Sequence, residues 1–284
     1  MLRALALALR HFLLAVQFFT RIPVTGRLAM WVGFSPVMLR ASAAHFPGVG
    51  GLIALLLGAL AWFLLRCVPA AAYAPLVVGA LVCVASLFLT GALHEDGLAD
   101  VADGLGGGLD RDRALLIMKD SRVGAYGAIA VAMALLLRVV LVASLAAFSL
   151  ALARPELLFV ILLLAQVSAR SWPLLTIWCL PHVGDAAGSK SKPLADQIGW
   201  PALSAALAWN GLIWGGALAW LGPASPIVGA AVGGLLLNAL VWRWLLRWFR
   251  QRLQGFTGDC LGATQLVGEL AFYLGAILFY GSSS

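Results

Sequence analysis

The sequence predicts an all-α fold, a polytopic transmembrane helical bundle of about seven spans with an N-terminal interfacial amphipathic helix. Two observations carry this. Hydrophobic residues make up 62% of the chain and charged residues only 11%, against roughly 25% charged in an ordinary soluble domain. Mean hydropathy is +0.97. That much apolar surface is solvated by lipid far more readily than it is hidden by 284 residues in water. The apolar residues also fall in runs near 47–66, 71–93, 124–149, 156–180, 200–221, 226–246 and 264–280. Each run is long enough for a helix rising ~1.5 Å per residue to cross ~30 Å of hydrocarbon.

The elements follow in order. Residues 1–45 form an N-terminal interfacial segment within a single integral membrane domain, 1–284. Arg3, Arg10 and Gln17 recur every seven residues and line one stripe of a helix otherwise made of Leu, Ala, Val and Phe, a pattern that suits a helix lying in the interface. A cleavable signal peptide is the rival reading. Arg10 and His11 interrupt its apolar region, and no small-x-small cleavage site follows. Cys67, Cys83, Cys179 and Cys260 are scattered and read as small apolar filler.

Orientation follows from the basic residues. With the N-terminus inside, fifteen Lys and Arg fall on inner segments and only Arg66 and Arg154 on outer ones. The positive-inside rule then makes the N-terminus cytoplasmic. The +7 charge reflects topology and anionic lipid, with no nucleic-acid module recognisable. Arg138 and Arg170 remain inside spans. Arg170 lies ~15 Å from the inner end of its span, where a charge needs a partner. The candidates are Glu269, an aspartate of the acidic stretch or a bound anion. Arg138 has no obvious partner.

Residues 94–123 form the cytoplasmic loop expected to carry the chemistry. Seven of the twelve acids lie between Glu95 and Asp120, and no Lys or Arg occurs between Arg66 and Arg111. On a continuing helix Asp96, Asp100 and Asp103 stand at i, i+4 and i+7, within about 60° of one another. Glu95 points about 100° away and needs a local distortion, which Gly97 would permit. Uncompensated carboxylates repel one another unless a cation is present. A hard divalent ion with oxygen ligands, Mg²⁺, is the natural partner of Glu95, Asp96, Asp100 and Asp103. The bland alternative is a solvated acidic loop, but this stripe abuts an apolar span and alternates with Ala, Leu and Gly. His94 either joins the site, bonds a neighbouring carboxylate or caps the helix.

Basic residues come next. Asp110 opens a short amphipathic helix that ends in Lys119-Asp120-Ser121-Arg122-Val123-Gly124. Lys119 and Arg122, one helical turn apart beside Ser121, suit a phosphate clamp or an anchor to lipid headgroups. Lys190 and Lys192 stand in a small-residue loop, and Asp259 in a glycine-rich turn before the last span; both are inner segments that can join the site.

These residues also carry a resemblance. Thr90-Gly91-Ala92-Leu93-His94-Glu95-Asp96-Gly97-Leu98-Ala99-Asp100-Val101-Ala102-Asp103-Gly104 resembles the TGGLHxDGLADxxDG signature of the cobalamin synthase family, the adenosylcobinamide-GDP ribazoletransferases of bacteria and archaea. Met118–Gly124, Ser189–Ala195, Gly255–Ala263, Phe18–Val24 and Phe46–Gly50 agree as well, so the likeness spans nearly the whole chain. Ala92 departs from the usual glycine, and Gly26–Ser42 looks inserted. The resemblance implies a phosphotransferase that joins adenosylcobinamide-GDP to α-ribazole or its 5′-phosphate and releases GMP. In such a reaction charge neutralisation and positioning matter more than covalent catalysis. Mg²⁺ on the carboxylates would meet the diphosphate, one of Asp96, Asp100 and Asp103 would accept the hydroxyl proton, and Lys119, Arg122, Arg170, Lys190 and Lys192 would meet phosphate. The resemblance also implies the inner membrane of a prokaryote as the location. The expected partners are those substrates and the lipid bilayer, with room for a homo-oligomer. Two rival classes are weighed. A CDP-alcohol phosphotransferase has a different aspartate spacing. A secondary transporter would place its ionisable groups nearer the midplane.

Overall fold

The computed structural model describes residues 2–69, 71–107, 110–184 and 198–281. Within them every regular element is a helix: α1 (Leu2–Phe19), α2 (Gly26–Val32), α3 (Pro36–Ser42), α4 (Phe46–Cys67), α5 (Ala74–Thr90), α6 (Leu93–Gly106), α7 (Arg111–Ile117), α8 (Ala125–Ala151), α9 (Pro155–Ala169), α10 (Trp172–Cys179), α11 (Trp200–Leu221), α12 (Pro226–Leu253) and α13 (Gly258–Gly281). Six helical stretches are long and apolar enough to cross a membrane, or seven if the bent pair α5–α6 counts as one span. The helix class and the number of spans agree with the sequence reading.

Three features differ from the simplest expectation. The second apolar run does not continue straight into the acidic stretch. Thr90 ends α5, Gly91 and Ala92 both adopt left-handed backbone (φ 65° and 57°), and α6 sets off at 90°. Two successive left-handed residues cannot lie on one helix, so the chain turns a corner. The fourth run breaks between α9 and α10 at Arg170 and Ser171, ahead of Pro173, whose missing N–H and ring favour such a break. The Gly26–Ser42 stretch forms the short helices α2 and α3 beside α1, where Arg10 Nε donates to Val32 O at 2.9 Å. On α1 itself Leu14, Ala15 and Val16 are buried while Leu5, Leu7 and Leu9 are exposed, and α1 is not among the candidate spans.

The bend places α6 across the ends of its neighbours. It packs on α8 and on the start of α13. Gly97 permits the closest approach: a Cβ there would stand 2.8 Å from Asp259 O and 3.1 Å from Asp259 Cα. At the other end of α6, Arg252 of α12 donates to Leu105 O at 3.0 Å and Arg111 of α7 donates to Leu253 O at 2.8 Å. The segment leaving α10 is tied to the turn before α13, Val183 N to Phe256 O at 2.9 Å and Phe256 N to Pro181 O at 3.0 Å. Helix ends distant in sequence therefore meet on one side of the bundle, with α6 among them.

Candidate active site

The site is built from α6 outward. Asp96 is exposed, Asp100 half-buried, and both share a face with Asp103, as a period of 3.6 residues requires. Asp259, in the first turn of α13, completes the group. Asp100 is within electrostatic reach of Asp259, Asp96 and Asp103, and Asp259 within reach of Asp96. The Thr257 hydroxyl donates to Asp259 Oδ2 at 3.1 Å and orients that carboxylate. A carboxylate from another helix thus joins the stripe because Gly97 lets the backbones touch.

A cavity of about 150 Å³ opens beside them. Asp96, His94 and Gly97 line it from α6, Asp259, Gly262 and Gln265 from α13, and Arg170 and Pro173 from the α9–α10 break. Phe18, Phe19, Phe46 and Val49 form an apolar wall, in which the Phe19 and Phe46 rings meet edge to face at 4.1 Å. His94 is buried and belongs to the cavity lining. Charged groups of both signs converge here, Asp96 and Asp259 against Arg170, on a lining otherwise largely apolar. Such a setting strengthens each electrostatic interaction.

Two of the four carboxylates expected to hold metal are engaged elsewhere. Glu95 is turned into the bundle and buried, where its Oε1 accepts from Arg138 Nη1 at 2.8 Å. The 100° offset that sequence geometry gives it is kept, not relieved by distortion at Gly97, because a buried guanidinium stands on that side. Asp103 accepts the backbone N–H of Gly124 at 2.7 Å and of Gly127 at 2.8 Å, so both its oxygens cap the start of α8. A carboxylate there is favoured by unpaired amides and by the helix dipole.

Among the described residues no three His, Cys, Asp or Glu side chains form a ready-made metal cage. Asp96, Asp100 and Asp259 nevertheless supply hard oxygen donors of the kind Mg²⁺ takes. That ion commonly keeps several waters and shares one or two carboxylates with a substrate phosphate. The donor set fits such a shared site and not a closed protein cage.

The basic candidates divide. Arg170 is buried and lines the cavity, but Glu269 is not its ion-pair partner. Glu269 pairs with Arg138, Oε1 to Nε at 3.3 Å, and Arg170 Nη1 donates instead to the Gln166 side-chain oxygen and, at 3.2 Å, to its carbonyl. Arg138, for which sequence offers no partner, is thereby held by Glu95 and Glu269 together. Residues 43 and 131 positions away leave no local signal of such a pairing. Lys119, Ser121 and Arg122 are exposed at the turn before α8. That turn meets α6 at Asp103, roughly 10 Å along the helix from Asp96. Arg122 is folded onto Asp120, Nη2 to Oδ2 at 2.5 Å, and these hydrogen bonds hold the Asp120 carboxyl down at about 2. An ion pair this exposed is weak enough to exchange for a phosphate. Lys190 and Lys192 lie outside the described residues.

Comparison with known proteins gives the family of the chain. Residues 11–277 match the family described as cobalamin-5-phosphate synthase. A protein of Albidiferax ferrireducens named adenosylcobinamide-GDP ribazoletransferase is 57% identical, the match covering 94% of this chain and 97% of the relative. A protein of the same name from Polaromonas naphthalenivorans is 53% identical over the same shares. No solved structure matches. The CDP-alcohol phosphotransferase and transporter readings are set aside: the chain belongs to the cobalamin-5-phosphate synthase family.

Proposed function

We propose that this protein transfers the adenosylcobinamide phosphate unit of adenosylcobinamide-GDP to a ribose hydroxyl of α-ribazole, or of its 5′-phosphate, and releases GMP late in cobalamin synthesis. The family assignment supports the reaction, and one observation supports its location. Asp96 and Asp259, from different helices, share a cavity with the buried Arg170. Anionic groups on one side and a guanidinium on the other suit a phosphoryl centre that needs charge balance and alignment more than a protein nucleophile.

In the reaction the hydroxyl oxygen bonds to the corrinoid-side phosphorus. The bond from that phosphorus to the bridging oxygen breaks, and GMP leaves with the electron pair. Asp96 or Asp100 accepts the hydroxyl proton. Arg170 offers donors to a phosphoryl oxygen, and Lys119, Arg122, Lys190 and Lys192 supply cations for the nucleotide side. If one or two of Asp96, Asp100 and Asp259 hold Mg²⁺, the ion would supply charge neutralisation to the diphosphate. Asp103 and Glu95 act by position, one fixing α8 and the other the inner face of α6. We place the N-terminus and these helix ends at the cytoplasmic face of an inner membrane, where nucleotides are available; the fifteen-to-two distribution of Lys and Arg supports this.

The test is incubation of purified protein in lipid nanodiscs with adenosylcobinamide-GDP, α-ribazole and Mg²⁺. The expected result is one GMP released per joined corrinoid. Release of GDP, or GMP formed without a phosphodiester product, overturns the proposal.

A further inference from the structure

Four charged side chains are buried together: Glu95 of α6, Arg138 of α8, Arg170 after α9 and Glu269 of α13. Their formal charges cancel, yet the pairing is lopsided. Arg138 takes both carboxylates, and Arg170 is joined to them only through neutral side chains. The Tyr273 hydroxyl donates to Glu269 Oε1 at 3.1 Å, the Gln166 amide donates to the Tyr273 oxygen at 3.4 Å, and the Gln166 side-chain oxygen accepts from Arg170 Nη1.

The direction of each bond is fixed by the one before it. An ionised Glu269 only accepts, so the tyrosine proton must point to it, and the tyrosine oxygen is then left to accept from the amide nitrogen of Gln166. That turns the amide oxygen toward the guanidinium. Among the described residues the hydrogen bonds of Arg170 are all made by Nη1, which leaves Nε and Nη2 for the cavity the residue lines.

We infer that Tyr273 and Gln166 are positioning residues for the transfer reaction: they hold Arg170 away from Glu269 and present its two remaining donor nitrogens to a phosphoryl group in the cavity. The inference rests on the proposed phosphoryl-transfer reading of that cavity. A purely structural network would stabilise the bundle without affecting how tightly the nucleotide substrate is held. An aiming device couples the tyrosine hydroxyl to Arg170 and to nothing else in substrate binding.

The experiment is a double-mutant cycle on Tyr273→Phe and Arg170→Lys in nanodiscs, reading KM for adenosylcobinamide-GDP and kcat separately. Loss of one hydrogen bond in the relay should raise KM about three- to tenfold and leave kcat within about twofold. In the Arg170→Lys background, Tyr273→Phe should change KM no further, because the group it aims is gone. Gln166→Leu, which cuts the same chain from α9, should reproduce the Tyr273→Phe effect if that variant fails to accumulate. Equal KM effects in both backgrounds, or none in the wild-type background, overturn the inference. An unchanged KM in Arg170→Lys alone removes Arg170 from phosphate binding and overturns it too. Absence of GMP release by the wild-type protein is a distinct result that sinks the proposed reaction itself.

Discussion

Asp103 is the residue for which sequence and structure make opposite predictions. Its two oxygens receive the N–H groups of Gly124 and Gly127, which differ in burial. Gly127 is buried and Gly124 exposed. Replacing Asp103 with Ala strands the Gly127 amide at about 1–3 kcal/mol, whereas Gly124 is rehydrated at a cost of about 0.5–1 kcal/mol. Loss of the negative charge from the start of α8 adds about 0.3–1 kcal/mol. The sum is about 2–5 kcal/mol, a fall of roughly 30- to 5000-fold in the folded-to-unfolded ratio. Asp103→Asn should cost less, since its carbonyl keeps one N–H while its amide opposes the other. Reversible unfolding in mixed detergent micelles measures both variants, and a Mg²⁺ titration of residual GMP release accompanies it. The structure requires lowered stability and an unchanged half-maximal Mg²⁺ concentration. Wild-type stability with a raised Mg²⁺ requirement would refute the capping role and restore Asp103 to the metal.

Three further outcomes are expected. Asp96→Asn should lower kcat at least about 100-fold and raise the Mg²⁺ requirement without affecting unfolding, since Asp96 is exposed; unchanged turnover across the titration counts against the site. Ala92→Gly should stabilise the protein by about 1 kcal/mol, because Ala92 sits at φ 57°; a lower unfolding midpoint would show that the corner does not strain the alanine. Glu95→Gln leaves Arg138 one carboxylate short in a buried setting and should destabilise by about 3 kcal/mol, seen as reduced yield of monodisperse protein. Full yield with lost Mg²⁺ response would argue instead for a metal role.

The spans were legible because an apolar run has a length, and lipid thickness sets the length required. The stripe of Asp96, Asp100 and Asp103 was legible because helical period depends only on spacing. Ala92 was legible as a departure from a family pattern, although its left-handed backbone was not. What sequence could not give were choices among distant partners. Arg138 takes Glu95 and Glu269 because the packing of α6, α8 and α13 brings them together, and nothing local encodes that. Asp259 meets Asp96 through the approach permitted at Gly97, and Asp103 is drawn from the metal set by amides 21 and 24 residues later. Hydrogen-bond supply at a helix start decides that last case, and a count of acids carries no information about it.

The division of Arg138 between α6 and α13 has a consequence for biogenesis. Helices are synthesised in chain order, so α8 finds only Glu95 to pair with its guanidinium, the end of α9 then adds Arg170 with no carboxylate left over, and an uncompensated charge there is costly. Balance arrives with Glu269 on the last helix. The same helix delivers Asp259 to the cavity. Electrostatic closure of the bundle and completion of the cavity are therefore a single late event, and a nascent chain halted before α13 has neither.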